Sequence, residues 1–342
     1  MPLGISRVLK PGNAGLAIYT CHMPKLTVRK HIGNPSFAAS KWRKQDHETP
    51  LVLRLSNAMA RFYLEDEKFG RTSGDIIVLP HVRMDLLFDP APADLIRGLS
   101  RKGFAGTSAA KDIYEAYLEA HVRFEALLYS AGKVRHLMRT EPNPMVNFFS
   151  SERYGYYGYA EWSVDDAPFS PFQLKLAKPR GRNPLYTAAQ LVTPARWRDM
   201  QRSAENGSYP EGELLELYRI RGKVGWRQLR TATIEASIIS ESLLRAYGLK
   251  TLKDNGFSKT KLSRLGDEMT FNNLLNIVLP LSLNKGELRR VQVAIDAVDR
   301  LRRIRNDLVH GNITEKEIEA TQVEQGIDGA ISLVRFLQTR IK

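Results

Sequence analysis

KGELRRVQVAIDAVDRLRRIRNDLVHG, residues 285–311, has the apolar periodicity of one long amphipathic helix. Its larger apolar residues recur at intervals of three and four, which places them on one broad face of a helix with about 3.6 residues per turn. Gly311 follows the last periodic residue, as is typical of a helix end. The residues on this face are Val291, Ile295, Val298, Leu301, Ile304 or Arg305, and Leu308. The stretch therefore predicts a helix that packs by one side against other helices.

The sequence around this helix is helical in pattern from residue 213 to near the end of the chain. A turn-forming stretch, ENGSYPEG at 205–212, precedes this part, and proline is rare after it. The last helix begins with the capping-box spacing of Thr314 and Glu317. The other expected helices cover 213–247, closed by Gly248, and 271–281, interrupted by Pro280. Several helices with short connections predict an up-and-down bundle over 213–342.

Residues 1–205 have a different character, rich in proline, glycine and aromatic residues. Three stretches of β-branched or aromatic residues between turn formers predict strands at 49–55, 74–88 and 145–150. A helix is expected at 112–134, with Gly132 as its C-terminal cap. This part is predicted to be a mixed α+β domain, open to further subdivision.

The composition is strongly basic. The 342 residues include 51 Lys and Arg against 37 Asp and Glu, a net charge of +14, which favours polyanionic partners such as nucleic acid. The single cysteine, Cys21, excludes an internal disulfide framework and a Cys-rich zinc site. There is no signal-peptide core, no apolar run long enough for a membrane span, and no nucleotide-binding glycine motif. We expect a cytoplasmic protein with no membrane partner and no cofactor.

The end of the helix at 285–310 carries side chains suited to phosphate chemistry. Arg305 provides a planar cation that fits phosphate oxygens, and the imidazole of His310 can exchange protons near neutrality. Asn306 lies about 40° from His310 around a helix, so the two share a face. Arg305 lies about 140° from His310 and must reach over, or act across a partner chain. This geometry favours a site shared by two chains of a dimer.

RNA is a suitable substrate for such a set of side chains because its 2′-hydroxyl is an internal nucleophile. An Arg that binds the phosphate and two His residues that move protons would cleave RNA without metal and leave a 2′,3′-cyclic phosphate. General acid–base catalysis contributes on the order of 10² to 10⁴ in rate. The second His would come from a symmetry mate.

Arg305, Asn306 and His310 form an R-N-x3-H sequence that resembles the R-x4-6-H motif of the HEPN superfamily. TATIEASIISESLLRAYGL, 231–249, is similar to an early core helix of that family and contains Glu241. The resemblance covers about 213–342 and implies an all-α HEPN-like helical bundle after the α+β domain. It also implies catalytic roles for Arg305, Asn306 and His310, with Asp307 and Glu241 in support.

The resemblance further implies a function and partners. It suggests a metal-independent endoribonuclease of the toxin or abortive-infection type, active in antiviral defence, with a homodimer formed through the C-terminal helical domain. In this hypothesis the domain at 1–205 senses a phage-derived or protein trigger or binds RNA. HEPN toxins whose antitoxin modifies a tyrosine carry that residue two positions after the His, where this chain has Asn312. Control by that route is therefore not expected.

Two basic groups are candidate contacts for RNA phosphates. The first is on the motif helix, where the alternative is a solvated face whose arginines pair with Asp296, Asp299 and Asp307. The second is KPRGR, 178–182, which follows a tyrosine-rich stretch as in single-strand binders, although such aromatics also pack in cores. The residues are Arg300, Arg302 and Arg303 in the first group and Lys178, Arg180 and Arg182 in the second.

Three alternatives remain open on the residues alone. The motif can be an ordinary helix ending, with a His near the last carbonyls and a capping Gly. The bundle can be a catalytically inactive HEPN-like module that dimerises and binds nucleic acid. Finally, an Mg²⁺-dependent nuclease could use the N-terminal domain. Its candidate residues are Asp165, Asp166, Gln173 and Lys175, with Glu161 as a further carboxylate.

Overall fold

The computed structural model describes residues 24–38, 49–64, 71–73, 76–99, 107–134, 157–172, 192–225 and 227–341. An antiparallel sheet with flanking helices is followed by a mostly helical region, which agrees with the predicted α+β and then helical layout. Three predicted features lie outside the described residues. These are the strand at 145–150, the basic segment at 178–182, and Gln173 with Lys175.

The sheet of the N-terminal part is antiparallel throughout its described pairings. The strand order is β2-β3-β5-β1-β6-β7, with β4 paired to β5. The strands predicted at 49–55 and 74–88 are confirmed as β2 and β5. The strands are β1 (Leu26–Ala38), β2 (Leu51–Arg54), β3 (Met59–Leu64), β4 (Arg71–Ser73), β5 (Ile76–Phe88), β6 (Tyr157–Val164) and β7 (Ser170–Pro171).

Helices cover one face of this sheet. They are α1 (Ala93–Gly98), α2 (Ser108–Ser130) and α3 (Pro194–Glu205). The Phe124 ring of α2 stacks on Phe62 of β3 with centroids 4.3 Å apart, and the Trp197 ring of α3 meets Phe124 edge-on. The helix predicted at 112–134 is confirmed, but it ends at Ser130, and the left-handed residue after it is Lys133, with φ 51°, not Gly132.

The helical region contains the remaining elements. They are α4 (Gly212–Gly225), α5 (Leu229–Asp254), α6 (Lys259–Glu268), α7 (Phe271–Asn273), a π turn (Leu274–Val278), α8 (Leu279–Ser282), α9 (Lys285–His310), a 3₁₀ turn (Glu315–Glu317) and α10 (Ala320–Ile341). The helix predicted at 285–310 is therefore confirmed as α9, and its predicted apolar face is buried or half-buried. None of the described helices is both long and apolar enough to cross a membrane.

Helix α9 is antiparallel to α10, whereas α5 is parallel to it. Gly326 of α10 lies against Leu301 of α9, and Gly329 lies against Ala297, so these two helices are antiparallel. The Arg230 amide, at the start of α5, donates to the Glu315 carboxylate just before α10. The Lys250 ammonium, near the end of α5, donates to the Arg340 carbonyl at 2.8 Å, so α5 and α10 are parallel.

Helix α4 is antiparallel to α10. Arg221 of α4 donates to Asp328 at 3.0 Å, and the Tyr218 hydroxyl accepts from Arg335, about two turns further along α10. Helices α4, α5, α9 and α10 therefore alternate in direction, as predicted for an up-and-down bundle. The connection between α5 and α9 is not short, since it contains α6, α7, the π turn and α8.

The single helix predicted over 213–247 is wrong, because α4 ends at Gly225 and α5 begins at Leu229. The Gln228 amide donates to the Lys223 carbonyl, and Arg227 adopts φ 61°, so the backbone turns sharply while the apolar pattern continues. Gly248 does not close a helix. It is buried within α5, where an added Cβ would lie 3.0 Å from Leu274.

Two other helix boundaries differ from the prediction. Pro280 does not interrupt its helix, because the π turn just before it widens the backbone and the Leu279 amide donates to Leu274. The last helix begins at Ala320 and not at Thr314. The Glu317 carboxylate does accept from the Thr314 amide at 2.7 Å, but on the separate 3₁₀ turn, where Ile318 is extended.

Candidate functional site

Helix α9 is fixed at its N-terminal end and along its length. The Asn284 side chain accepts from the Glu287 amide at 2.9 Å, and the Glu287 carboxylate accepts from the Asn284 amide at 3.0 Å. An added Cβ on Gly329 would lie 2.7 Å from Ala297, so the backbones of α9 and α10 are in close contact. Close packing of this kind holds the residues at the end of α9 in a defined position.

The C-terminal end of α9 is closed by a turn that Asp307 holds. Gly311 adopts the left-handed conformation with φ 75°, which glycine accepts without steric cost. The Asp307 carbonyl accepts from the Gly311 and Asn312 amides, and its carboxylate accepts from the Asn312 side chain at 3.2 Å. Asp307 therefore supports the turn next to His310, and Asn312 is part of the same turn.

Arg305 and Asn306 are in contact. Arg305 is half-buried on the side of α9 nearer the core, and its Nη1 donates to the Asn306 Oδ1 at 3.1 Å. Asn306 shares the face of His310, about 40° away. The guanidinium therefore reaches the Asn306 amide, about 100° away around the helix. Among the described residues, no hydrogen bond joins Arg305 or Asn306 to His310.

His310 is exposed as the last residue of α9. No hydrogen bond to its imidazole is present among the described residues. Its ring is open to a ligand from solvent. The arrangement brings a guanidinium, an amide and an accessible imidazole to one helix end, which suits binding of a phosphate and transfer of a proton at it.

Glu241 lies on α5 and is half-buried. Its Oε1 is 3.7 Å from the Nη2 of Arg245, one turn further along α5, and Arg245 also donates to the Met269 carbonyl at 3.2 Å. Within the described residues Glu241 has no hydrogen bond or ion pair with Arg305 or His310. The supporting role that the family resemblance implies for Glu241 stays a prediction.

The three arginines expected to bind RNA on α9 differ in their surroundings. Asp299 accepts from Arg302 at 2.9 Å and is 2.7 Å from the Arg303 guanidinium, as the solvated-face alternative predicted. Asn276 also donates to Asp299, at 3.4 Å. Burial alone would raise the pKa of the Asp299 carboxyl, but the hydrogen bond and charge of Arg302, with Asn276 and Arg303, hold it below its ordinary value.

Arg300 is exposed and has no ion pair within the described residues. The Arg303 side chain is 70% exposed although it pairs with Asp299, whereas that of Arg302 is only 15% exposed. Arg300 and Arg303 are thus accessible to a polyanion. Arg302 is committed to Asp299.

The carboxylates proposed for a magnesium site lie at a turn. Asp165 and Asp166, with φ 49° and 58°, connect β6 to β7, and the Asp165 carboxylate accepts from the Lys25 amide at 2.9 Å. Glu161 lies on β6, in register with Arg29 of β1. Among the described residues, no group of three or more His, Cys, Asp or Glu side chains is arranged to hold a metal ion. Asp165 therefore has a structural role at this turn.

Sequence reasoning missed two exposed cations on the His310 side of α9, Lys285 and Arg289. Both lie on the same side of the helix as His310, about 20° and 60° from it. Their helical spacing from His310 can be read from the sequence. They were missed because they lie 25 and 21 residues before it, at the other end of the helix.

No family model, curated protein or solved structure matches the chain.

Proposed function

We propose that the chain is a metal-independent endoribonuclease whose site is the C-terminal end of α9. The observation that carries this proposal is the grouping of the Arg305 guanidinium, the Asn306 amide and the exposed His310 imidazole at one helix end. The net charge of +14 supports a polyanionic substrate. The proposed fold of the helical region is the HEPN type that the motif resembles.

In the proposed reaction the 2′-hydroxyl of RNA attacks the adjacent phosphorus. The bond from the 2′-oxygen to phosphorus forms as the bond from phosphorus to the 5′-oxygen breaks. One proton leaves the 2′-hydroxyl and another goes to the departing 5′-oxygen. Arg305 binds the phosphate oxygens, and His310 transfers one of the protons. A homodimer through the helical region would supply the second His310.

The proposed biological role is that of a defence or toxin effector. In this role the N-terminal part, with its sheet, senses a phage-derived or protein trigger, and the helical region cleaves RNA. The support for this role is the resemblance of the R-N-x3-H sequence to HEPN toxins.

Purified protein, RNA and excess EDTA test the proposed activity. We expect cleavage that persists in EDTA and leaves 2′,3′-cyclic phosphate ends. His310→Ala and Arg305→Ala should each reduce the rate by on the order of 10²-fold or more. Arg227→Ala, a change of an exposed arginine away from the site, is the matched control and should cleave as the wild type does. Cleavage that requires a metal, or that survives both site variants, would contradict the proposal.

One observation favours a second candidate function. Within the described residues nothing is hydrogen-bonded to the His310 imidazole, whereas catalytic histidines are commonly oriented by a third group. A catalytically inactive module that dimerises and binds nucleic acid fits this observation. It predicts salt-sensitive RNA binding without turnover, unchanged by His310→Ala.

A further inference from the structure

The exposed side of α9 carries basic residues along its whole length. The helix has 26 residues, and at about 1.5 Å per residue it is roughly 39 Å long. Viewed down the helix axis, four exposed cations lie within about 80° of His310, all displaced from it in the same direction around the helix. They are Lys285, Arg289, Arg300 and Arg303.

The acidic residues on the same side are already engaged by neutral or basic partners. Asp296 accepts from Gln292 at 2.9 Å, and Asp307 accepts from Asn312. Asp299 is 9% exposed and is held by Arg302 and Arg303. Lys285, Arg289 and Arg300 have no ion pair among the described residues.

This side of α9 also contains an exposed apolar residue between its basic groups. Val293 is 78% exposed and lies between Arg289 and Arg300 along the helix.

On a helix face that only contacts solvent, oppositely charged residues commonly pair at intervals of three and four, as Arg302 and Arg303 do with Asp299. The unpaired cations therefore favour an external polyanion as the occupant.

We propose that a single RNA strand lies along the exposed side of α9, from His310 toward Lys285, with its phosphates bound by Arg303, Arg300, Arg289 and Lys285. The inference rests on the proposed ribonuclease function and specifies its substrate as an extended single strand. From His310 to Arg289 is about 30 Å along the helix axis. A stacked strand that advances ~3.4 Å per nucleotide would span this distance with roughly nine nucleotides.

The salt dependence of RNA binding tests this inference. The protein is the His310→Ala variant, which should leave the RNA intact, and the ligand is a fluorescent unstructured RNA strand of about 20 nucleotides. Affinity is measured by fluorescence anisotropy between about 50 and 200 mM salt. In this background, Arg289→Gln with Arg300→Gln should reduce the slope of log affinity against log salt by about 1.4, since each phosphate contact contributes about 0.7.

The matched control removes two exposed lysines elsewhere in the helical region, with Lys253→Gln and Lys261→Gln. It should leave the slope unchanged. An unchanged slope in the arginine variant, an equal loss in the control, or tighter binding of a duplex RNA of the same length would overturn the inference.

Cleavage by the otherwise wild-type chain is measured separately. Metal-independent cleavage together with an unchanged slope in the arginine variant would refute the RNA path and leave the proposed activity in place. A reduced slope without any cleavage would support the path on a binding module and refute the activity.

Discussion

Two basic side chains of this protein lie at opposite extremes of exposure. His310 is exposed at the end of α9, where a ligand can reach it. Lys30 lies in the centre of β1, in register with Met84 of β5 and Ala160 of β6, and is 1% exposed. Burial lowers the pKa of the Lys30 ammonium from 10.5 to about 7.

The stability of the protein should depend on pH through Lys30. Between pH 7 and 10.5 the unfolded chain binds a proton at Lys30 that the folded chain largely does not, so the free energy of unfolding should rise with pH. The rise in the free energy of unfolding is complete above pH 10.5, the unfolded pKa of Lys30, and is lost as pH falls toward the folded pKa of about 7. Its slope is at most about 1.4 kcal/mol per pH unit.

Urea unfolding at pH 7 and pH 9 measures this dependence. Lys30→Met should reduce the difference in unfolding free energy between the two pH values. Lys111→Met, a change of an exposed lysine on α2, serves as the control and should keep the difference. If Lys30→Met shows the wild-type difference, Lys30 is charged in the folded protein at pH 7 and pH 9 alike.

At the residue scale, the sequence predicts which side chains share a face but not which of them are already paired. Arg300, Arg302 and Arg303 appear equivalent as cations on one helix. Only the structure shows that Asn276, from a different segment, joins Arg302 and Arg303 around Asp299. The contact of Arg305 with Asn306 was also not predicted, because helical angles place Cα atoms and not the ends of long side chains.

The contact between α9 and α10 is the element-scale feature that positions the site. Gly329 allows it, since an added Cβ would lie 2.7 Å from the Ala297 Cβ and 3.0 Å from the Ala294 carbonyl oxygen. A backbone oxygen cannot move without shifting the helix. Gly329→Ala should therefore destabilise the protein by about 1–3 kcal/mol, measured by urea unfolding.

Gly286, in the first turn of α9, provides the matched control. Its nearest neighbour for an added Cβ is the Asn284 side chain at 3.4 Å, an ordinary contact. Gly286→Ala should be neutral or stabilising by up to about 1 kcal/mol, because alanine favours a helix. Equal effects of the two substitutions would mean that α9 and α10 are not in close contact at Gly329.

Periodicity predicted α9 well because its apolar face, its capping glycine and its polar side are all local features. The break between α4 and α5 was missed because the apolar pattern continues through it, and a sharp turn at Arg227 requires no glycine or proline. Gly248 was misassigned for a related reason. Its position beside Leu274 depends on a contact that is distant in sequence.

At the scale of the whole molecule, α2 joins the sheet and the bundle. Phe124 packs in the core beneath the sheet, whereas Ala126 and Tyr129 are buried in the core of the bundle. The Tyr129 ring stacks on Tyr218 of α4 with centroids 5.7 Å apart. The two parts therefore share a helix and are not separated by a free linker at 205–212.

A buried ion pair lies at this junction. Arg219 donates to both oxygens of Glu125, with the closest contact at 2.9 Å, and the Glu125 side chain is 8% exposed. Glu125→Ala should destabilise the protein by about 1–3 kcal/mol, because Arg219 then loses its buried carboxylate partner and keeps only the more exposed Glu216. Urea unfolding provides the measurement.

Glu115→Ala is the control for this prediction, since Glu115 is on the same helix and its side chain is 57% exposed in a surface pair with Lys111. That change should cost less than about 1 kcal/mol. A Glu125→Ala variant as stable as the Glu115→Ala variant would contradict the role of the ion pair at the junction.

The sequence predicted the order of the two parts, a mixed α+β part followed by a helical part. It did not predict their junction, because the helix pattern at 112–134 does not show which of its two apolar sides meets which core. The residues that connect them, Glu125 and Arg219, are 94 positions apart and carry no local pattern.

Growth of cells that express the chain tests the central claim, RNA cleavage by the end of α9, most directly. Induced expression of the wild-type chain should arrest growth and fragment cellular RNA, and His310→Ala should restore both growth and intact RNA. An arrest as strong with His310→Ala as with the wild type, or intact RNA in cells arrested by the wild-type chain, would contradict the account.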